Sequence, residues 1–218
     1  MSIIIVGASG HGSVIADIIQ RTKEHRLVGF VDSRKPAGTR VLGAPVLGDE
    51  DVLREMCKRH EVTGLCLGVG DNWLRGQLAE RLADLNLPFT TVVHPSAQLA
   101  PSARLGRGVV IMAGAIVNCS AEVGDFCIIN TKASLDHDGQ MHANSSLAPG
   151  ATVGGAVEIG AYTAVGIGAV VREKVRIGAN TVIGAGAVVL HDIPAGVTAL
   201  GCPARVKDRR TVSDPYLR

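Results

Sequence analysis

The sequence predicts a parallel β-helix preceded by a small parallel α/β domain. Three observations lead there. Between Leu99 and Val189 every sixth residue is an aliphatic side chain or Met, sixteen in unbroken succession. Four residues after these the side chain is usually small, as at Ala103, Ala115, Ala133, Ala151 and Ala187, and one residue after them Gly recurs, as at Gly106, Gly124, Gly160 and Gly184. Ahead of this ladder, short aliphatic runs alternate with helix-periodic stretches.

A fixed six-residue period marks a repeat architecture of the β-helix kind. Six extended residues span at most about 20 Å, enough for a strand and a turn. The sixth-residue aliphatic points inward and stacks on its counterpart one coil away. The small residue lets the chain turn, and the recurring Gly is expected to supply a positive φ at the corner. No coil buries its apolar side alone, so stability comes from neighbours. With three hexads per coil, sixteen hexads make slightly more than five coils, a prism about 25 Å long at about 4.8 Å per rung.

The bulk properties fit. The 218 residues are 46% hydrophobic but only 3% aromatic, with 27 Gly, which suits thin coils filled by Val, Ile, Leu and Ala. A net charge of +2 gives no broad basic surface and argues against nucleic acid as a partner. The apolar start Met1 to Val6 is short and lacks the basic flank of a signal peptide. No apolar run approaches the roughly 18 residues of a membrane span. Five cysteines without a C-x-x-C read as reduced thiols, so a cytoplasmic protein is expected.

Residues 1–93 are expected to form the α/β domain, 94–204 the coil and 205–218 a tail. Ser2 to Gly7 reads as a buried strand. Gly7-Ala-Ser-Gly-His-Gly12 follows, then a helix whose Val14, Ile15, Ile18 and Ile19 share a face. A strand, a Gly-rich turn and a helix aim backbone N–H groups at a phosphate. The G-x-x-G-x-G spacing is not the dinucleotide G-x-G-x-x-G, and a tight turn without ligand stays open. Leu27 to Val31 is a second strand ending at Asp32-Ser33, where a carboxylate commonly meets ribose or base hydroxyls. Residues 34–48 read as Gly/Pro-punctuated loop. Asp49 caps a helix buried through Val52, Leu53, Met56 and Cys57. Val62 to Gly68 is a third strand, Leu74, Leu78 and Leu82 mark a helix, and Phe89 to Val93 is a fourth strand. The crevice at the strand ends gathers Ser9, Gly10, His11, Asp32, Ser33 and Gly70. His94-Pro95-Ser96 opens the junction, with His94 read as structural. The tail from Val206 is basic and polar, and a mobile end is expected.

Within the coil the polar departure is Asp136-His137-Asp138. An imidazole beside a carboxylate has its tautomer fixed and its basicity raised, which suits a general base. Solvated turn residues are the bland alternative. Asn130, one hexad earlier, sits on the adjacent side of the coil. His142 suggests a rival zinc site, but catalytic zinc expects three protein ligands and no His lies between Leu99 and Asp136.

These segments, with Val69-Gly-Asp-Asn72, Ile129-Asn-Thr131 and Asp192-Ile-Pro194 through Gly201-Cys-Pro-Ala204, resemble the sugar acyltransferases grouped with sialic acid O-acetyltransferases. The bacterial nucleotide-sugar N-acetyltransferases of bacillosamine and perosamine biosynthesis are similar over nearly all of the chain. The resemblance implies a left-handed coil, where the general crossover rule favours the right hand. It implies a homotrimer with acetyl-CoA along the groove between coils, and a nucleotide-linked 4-amino sugar on the N-terminal domain. Ser9, Gly10, His11, Asp32, Ser33 and Gly70 match substrate contacts. His137 matches the catalytic base, Asp138 or Asp136 its partner, and Asn130 a residue near the acceptor amine. Gly155 matches the position whose N–H faces the thioester oxygen, and Ile167 and Ala185 line the cofactor groove. Many members carry a cofactor-contacting His nine residues after the base. Here that place is Ser146, and His142 is the candidate to compensate. No metal is implied. O-acetylation of a sialic acid or another sugar hydroxyl, or a non-catalytic trimer that binds nucleotide sugars, are the alternatives.

Overall fold

The computed structural model describes residues 1–216. The N-terminal part holds β1 (Ser2–Val6), α1 (Gly10–Thr22), β2 (Arg26–Val31), β3 (Arg40–Val41), β4 (Ala44–Gly48), α2 (Leu53–Arg59), β5 (Gly64–Leu67) and α3 (Asn72–Arg81). The sheet order is β3-β4-β2-β1-β5, parallel except for the β3–β4 hairpin. That hairpin corrects the loop expected over 34–48. Its turn places Leu42 at φ 45° and Gly43 at φ 82°, the two left-handed residues of a tight hairpin. Leu in the first of those places hid the signal. Asp49 does cap, but it caps a 3₁₀ turn at Glu50–Val52 that leads into α2.

The coil is a triangular prism with three faces of stacked two-residue strands. The pocket face runs from Val92–Val93 to Val197–Leu200, the apolar face from Gln98–Leu99 to Val188–Val189, and the charged face from Arg104–Leu105 to Arg176–Ile177. Each inner residue pairs with the one eighteen positions on, as Ile129 with Leu147, so the inner positions stack into one column. Small polar residues at the inner corners are satisfied: Thr163 Oγ1 donates to Gly178 O at 2.7 Å and Thr181 Oγ1 to Pro194 O at 2.9 Å. The strand expected over Phe89 to Val93 is divided: Phe89 bridges Leu65, while Val92–Val93 pairs with Val110–Ile111 and opens the pocket face.

The corner chemistry also differs from expectation. The recurring Gly after each inner residue is there for clearance: a Cβ on Gly154 would lie 2.8 Å from Glu173 N in the next coil. The left-handed residue falls two places later and is often not Gly, with Lys132 at φ 57°, Asp138 at φ 56° and Asn144 at φ 59°. Asn and Asp tolerate that region through local hydrogen bonding.

The two parts share core. Ile3, Ile5 and the buried side of α1 pack with Val92, Val110, Met112 and Ile128 of the pocket face. On the other side of the sheet Phe89 meets Phe126 edge-on, centroids 5.0 Å apart. The described part of the tail is tied down, Arg205–Arg209 pairing antiparallel with Val197–Leu200, while residues 217 and 218 of the expected mobile end lie outside the described residues. No helix among the described residues is long and apolar enough to cross a membrane.

Candidate active site

The predicted residues fall into three places. The first is the turn between apolar and charged faces. His137 Nδ1 lies 2.8 Å from Asp138 Oδ2, and the His137 amide donates to Asp136 Oδ1 at 2.7 Å. Asn118, one coil below, donates to the same Asp136 oxygen at 2.7 Å. The left-handed turn at Asp138 brings its carboxylate alongside the ring. The Asp138 hydrogen bond, and then the Asp136 charge, raise the His137 pKa above its ordinary 6.5. Gly155 lies under the imidazole: a Cβ there would sit 2.5 Å from His137 Nε2 and 2.6 Å from Cε1. Glycine at 155 therefore leaves the ring its place, a role that spacing alone did not show. Among the described residues the Gly155 N–H makes no backbone bond, while Ala156 N binds the His137 carbonyl at 2.8 Å.

The second place is a cavity of about 550 Å³ on the pocket face. Gly10, His11 and Gly70 reach it from the α/β part, Asn130, Ser146, Ile167 and Ala185 from the coil. Its lining is mainly aliphatic. His11 is half-buried with its Nε2 shut off from solvent, and that desolvation, with the nearby Arg75 charge, lowers its pKa to about 3. It is therefore a neutral imidazole, and its Nε2 has no partner among the described residues.

The third place is a cavity of about 310 Å³ at the strand C-terminal ends, reached by Ser9, Asp32, Ser33 and Gly70. Gly70 lines both cavities. Asp32 is committed to the fold: its carboxylate accepts from Ala8 N at 2.6 Å, Arg34 N at 2.8 Å and Lys35 N at 3.1 Å. Those amides hold its pKa down against partial burial. It fixes the Gly-rich turn while still lining the cavity. A Cβ on Gly12 would strike the Gly7 carbonyl, so the turn is tight for packing reasons as well.

His142 and Ser146 lie on different faces of the coil. His142 Nε2 meets Glu158 Oε1 at 3.0 Å, and His142 is absent from the lining of the pocket that Ser146 faces. His94 Nδ1 accepts from Ser96 N at 3.0 Å. Among the described residues no group of three or more His, Cys, Asp or Glu is placed to hold a metal ion.

Two residues near the cavities carried no sequence signal. Arg75 is 1% exposed, and among the described residues its hydrogen-bond partners are carbonyl oxygens rather than a carboxylate. It donates to Phe126 O at 2.8 Å, Gly70 O at 3.0 Å and Asn144 O at 3.0 Å, tying the α/β part to the coil. Tyr216, from the tail, lines the larger cavity.

Two family models match: the PglD N-terminal domain over residues 2–82 and the bacterial transferase hexapeptide, six repeats, over 156–191. A solved structure of a histidine mutant of perosamine N-acetyltransferase from Caulobacter crescentus, in complex with CoA and GDP-perosamine, is 38% identical, covers 95% of this chain and 97% of that one, and has a TM-score of 0.90. The chain belongs to the hexapeptide-repeat sugar acetyltransferase family. The coil of that family is left-handed, which the spacing could not give. The acetyltransferase domain of PglB from Neisseria gonorrhoeae FA1090, in complex with acetyl coenzyme A, is 33% identical over 94% of this chain and 98% of that one, TM-score 0.85. UDP-N-acetylbacillosamine N-acetyltransferase of Bacillus subtilis (strain 168) is 39% identical over 114 residues, 51% of either chain, so the match spans about half of that relative's length.

Proposed function

We propose that this member of the family transfers the acetyl group of acetyl-CoA to the 4-amino group of a nucleotide-linked amino sugar, with His137 as general base. One observation carries the reading: the Asp138 carboxylate 2.8 Å from His137 Nδ1 leaves Nε2 facing outward above Gly155. The acceptor class is supported by the relatives that act on perosamine and bacillosamine. The cavity beside Asp32 and Ser33 suits the nucleotide, and the larger one suits the sugar and the thioester end of the cofactor.

In one chain the base and the larger cavity sit on different edges of the prism, with the apolar face between them. Outward residues of that face include Ile116, Thr152, Val170 and Val188, while those of the charged face are Arg104, Glu122, Gln140, Glu158 and Arg176. Ile116 and Val170 are 40% and 43% exposed, which invites a partner. A cyclic trimer with the apolar face toward its axis sets the His137 edge of each copy beside the Asn130 edge of the next. The site is then complete only between copies.

Acetyl-CoA supplies an activated thioester. His137 Nε2 accepts the proton of the attacking amine and passes it to the departing thiolate, and Asp138 steadies the imidazolium. Such general-base help is typically about 10²–10⁴-fold. The Gly155 N–H is the nearby donor for the oxyanion, a kind of contact worth roughly 2.7–4 kcal/mol when removed.

The test is thiol release from acetyl-CoA with UDP-, dTDP- and GDP-linked 4-amino sugars and, in parallel, their 4-hydroxyl analogues. Turnover with one amine and about a 10²–10⁴-fold lower kcat in His137→Ala, with nucleotide-sugar affinity kept, is the expected result. Turnover only with a hydroxyl acceptor, none with any acceptor, or a near-normal His137→Ala overturns it. Mixing His137→Ala with a second inactive chain altered at Asn130 is expected to restore activity, because each supplies what the other lacks.

A further inference from the structure

The tail does more than close the coil. After the strand Arg205–Arg209, Arg210 N donates to Gly196 O at 2.9 Å and its guanidinium to Asn180 O at 2.8 Å. A turn follows in which Thr211 N donates to Asp214 Oδ2 at 2.6 Å and Thr211 Oγ1 to Asp214 Oδ1 at 2.9 Å. These anchors deliver Tyr216 to the larger cavity, with the Arg210 guanidinium 5.9 Å from its ring centroid. There the Tyr216 hydroxyl accepts from Asn72 N at 3.1 Å and donates to Gly70 O at 3.5 Å, reaching back more than 140 residues. The Ser146 hydroxyl is its neighbour on the coil side.

The loop it holds belongs to the acceptor site: Gly70 lines both cavities. From below, Arg75 Nη1 takes the Val69 and Gly70 carbonyls at 3.2 and 3.0 Å. From α3, Asn72 Nδ2 donates to Thr163 O of the coil at 3.1 Å. The loop is thus fixed by the buried Arg75 on one side and by the tail on the other. Half-buried, polar and set into a wall, Tyr216 differs from the exposed Ser213, Asp214 and Pro215 just before it.

We propose that Tyr216 is a positioning residue of the acceptor site. Its ring closes the larger cavity beside Ser146, and its hydroxyl fixes the Gly70–Asn72 loop in the shape that binds the nucleotide sugar. The inference rests on the acceptor reading given above. It makes the tail part of the site and sets acceptor affinity without touching the reacting atoms.

Calorimetric titration of the full chain with UDP, dTDP, GDP and CoA tests it, alongside melting temperature and steady-state kinetics. Tyr216→Phe keeps the ring and loses the hydroxyl. It is expected to weaken the nucleotide that the wild type binds, and to raise the acceptor KM, by about three- to tenfold, the effect of one ordinary hydrogen bond, with a smaller change in CoA affinity and an unchanged melting temperature. Tyr216→Ala and a chain ending at Asp214 are expected to weaken it further. Equal nucleotide binding by wild type, Tyr216→Phe and Tyr216→Ala overturns the proposal. So does a parallel loss of nucleotide binding, CoA binding and melting temperature, which marks a purely structural role. Wild-type protein that binds CoA and none of the nucleotides sinks the acceptor reading and this one with it. Nucleotide binding without turnover sinks the catalytic reading alone and leaves the Tyr216 result decisive.

Discussion

His137 and His11 are the same side chain in opposite surroundings. His137 stands on an exposed edge of the coil, flanked by two carboxylates that raise its pKa. His11 is half-buried where α1 meets the pocket face, and desolvation of its ring beside a guanidinium lowers its pKa to about 3. The first can take a proton near neutral pH and give it back. The second can only donate or accept a hydrogen bond as a neutral ring. The difference teaches which of two histidines in one sequence can do acid–base work, and it follows from what each packs against. The open edge keeps the His137 imidazole solvated, and the walled cavity leaves the His11 ring a polar contact without charge.

The largest break of this comparison is Gly155→Ala. A Cβ at 155 would sit 2.5 Å from His137 Nε2, so the ring must swing away from its place. The neighbour that gives way is an exposed side chain, so the fold is expected to survive with an unchanged melting temperature. A misplacement of about 1 Å at a reacting group costs about 10²-fold, and kcat is expected to fall by that order with nucleotide affinity kept. Near-normal turnover in this variant would remove His137 from the reaction as surely as its own deletion.

A smaller change sharpens the same contrast. The Asp138 hydrogen bond is the main reason the His137 pKa is raised, and the Asp136 charge comes second. The base works when deprotonated, so activity rises with pH through that pKa. Asp138→Asn removes the main cause and is expected to move the acid limb of kcat/KM toward lower pH, with kcat reduced about tenfold because the ring loses its tautomer lock. Asp136→Asn is expected to move the limb less. A limb that stays put in both variants would assign it to another group.

Much of this was legible beforehand, and the reason is local periodicity. The inner ladder depends on contacts between residues a fixed eighteen apart, so Leu135 under Val153 could be read from the sequence. Asp136-His137-Asp138 stood out because a regular coil has no folding use for it. Legibility ended where the contact is not periodic. Gly155 looked like a backbone donor, and its clearance for the ring one coil away emerged only from the coordinates. Arg75 looked like one cation on an ordinary helix, yet its partners lie on the coil, 51 and 69 residues on. Asp32 was legible as a residue of the strand-end crevice, but not the three amides of its own domain that hold its carboxylate. The tail looked mobile because its composition is polar, and composition does not report an antiparallel partner.

The smallest expected effect is on stability, and its sign separates the two histidines. Below pH 6.5 the unfolded chain protonates His11 while the native chain, with a pKa of about 3, does not. The unfolded state then binds more protons, so native stability is full above 6.5 and is lost as pH falls toward 3, at up to about 1.4 kcal/mol per pH unit. His137 acts the other way: its raised pKa adds stability below 6.5 that disappears as pH rises through the native value. Between pH 6 and 5 the carboxylates with lowered values, Asp32, Asp136 and Asp214, are ionised in both states and contribute little, so comparison with a His11 variant in that window isolates His11. Urea midpoints at pH 6 and pH 5 are expected to show a loss of about 1 kcal/mol in the wild type and a much flatter response in His11→Asn, which carries no titrating ring. Equal slopes in the two proteins would mean that His11 protonates in place, and the cavity it lines would then hold a cation rather than a neutral hydrogen-bonding group.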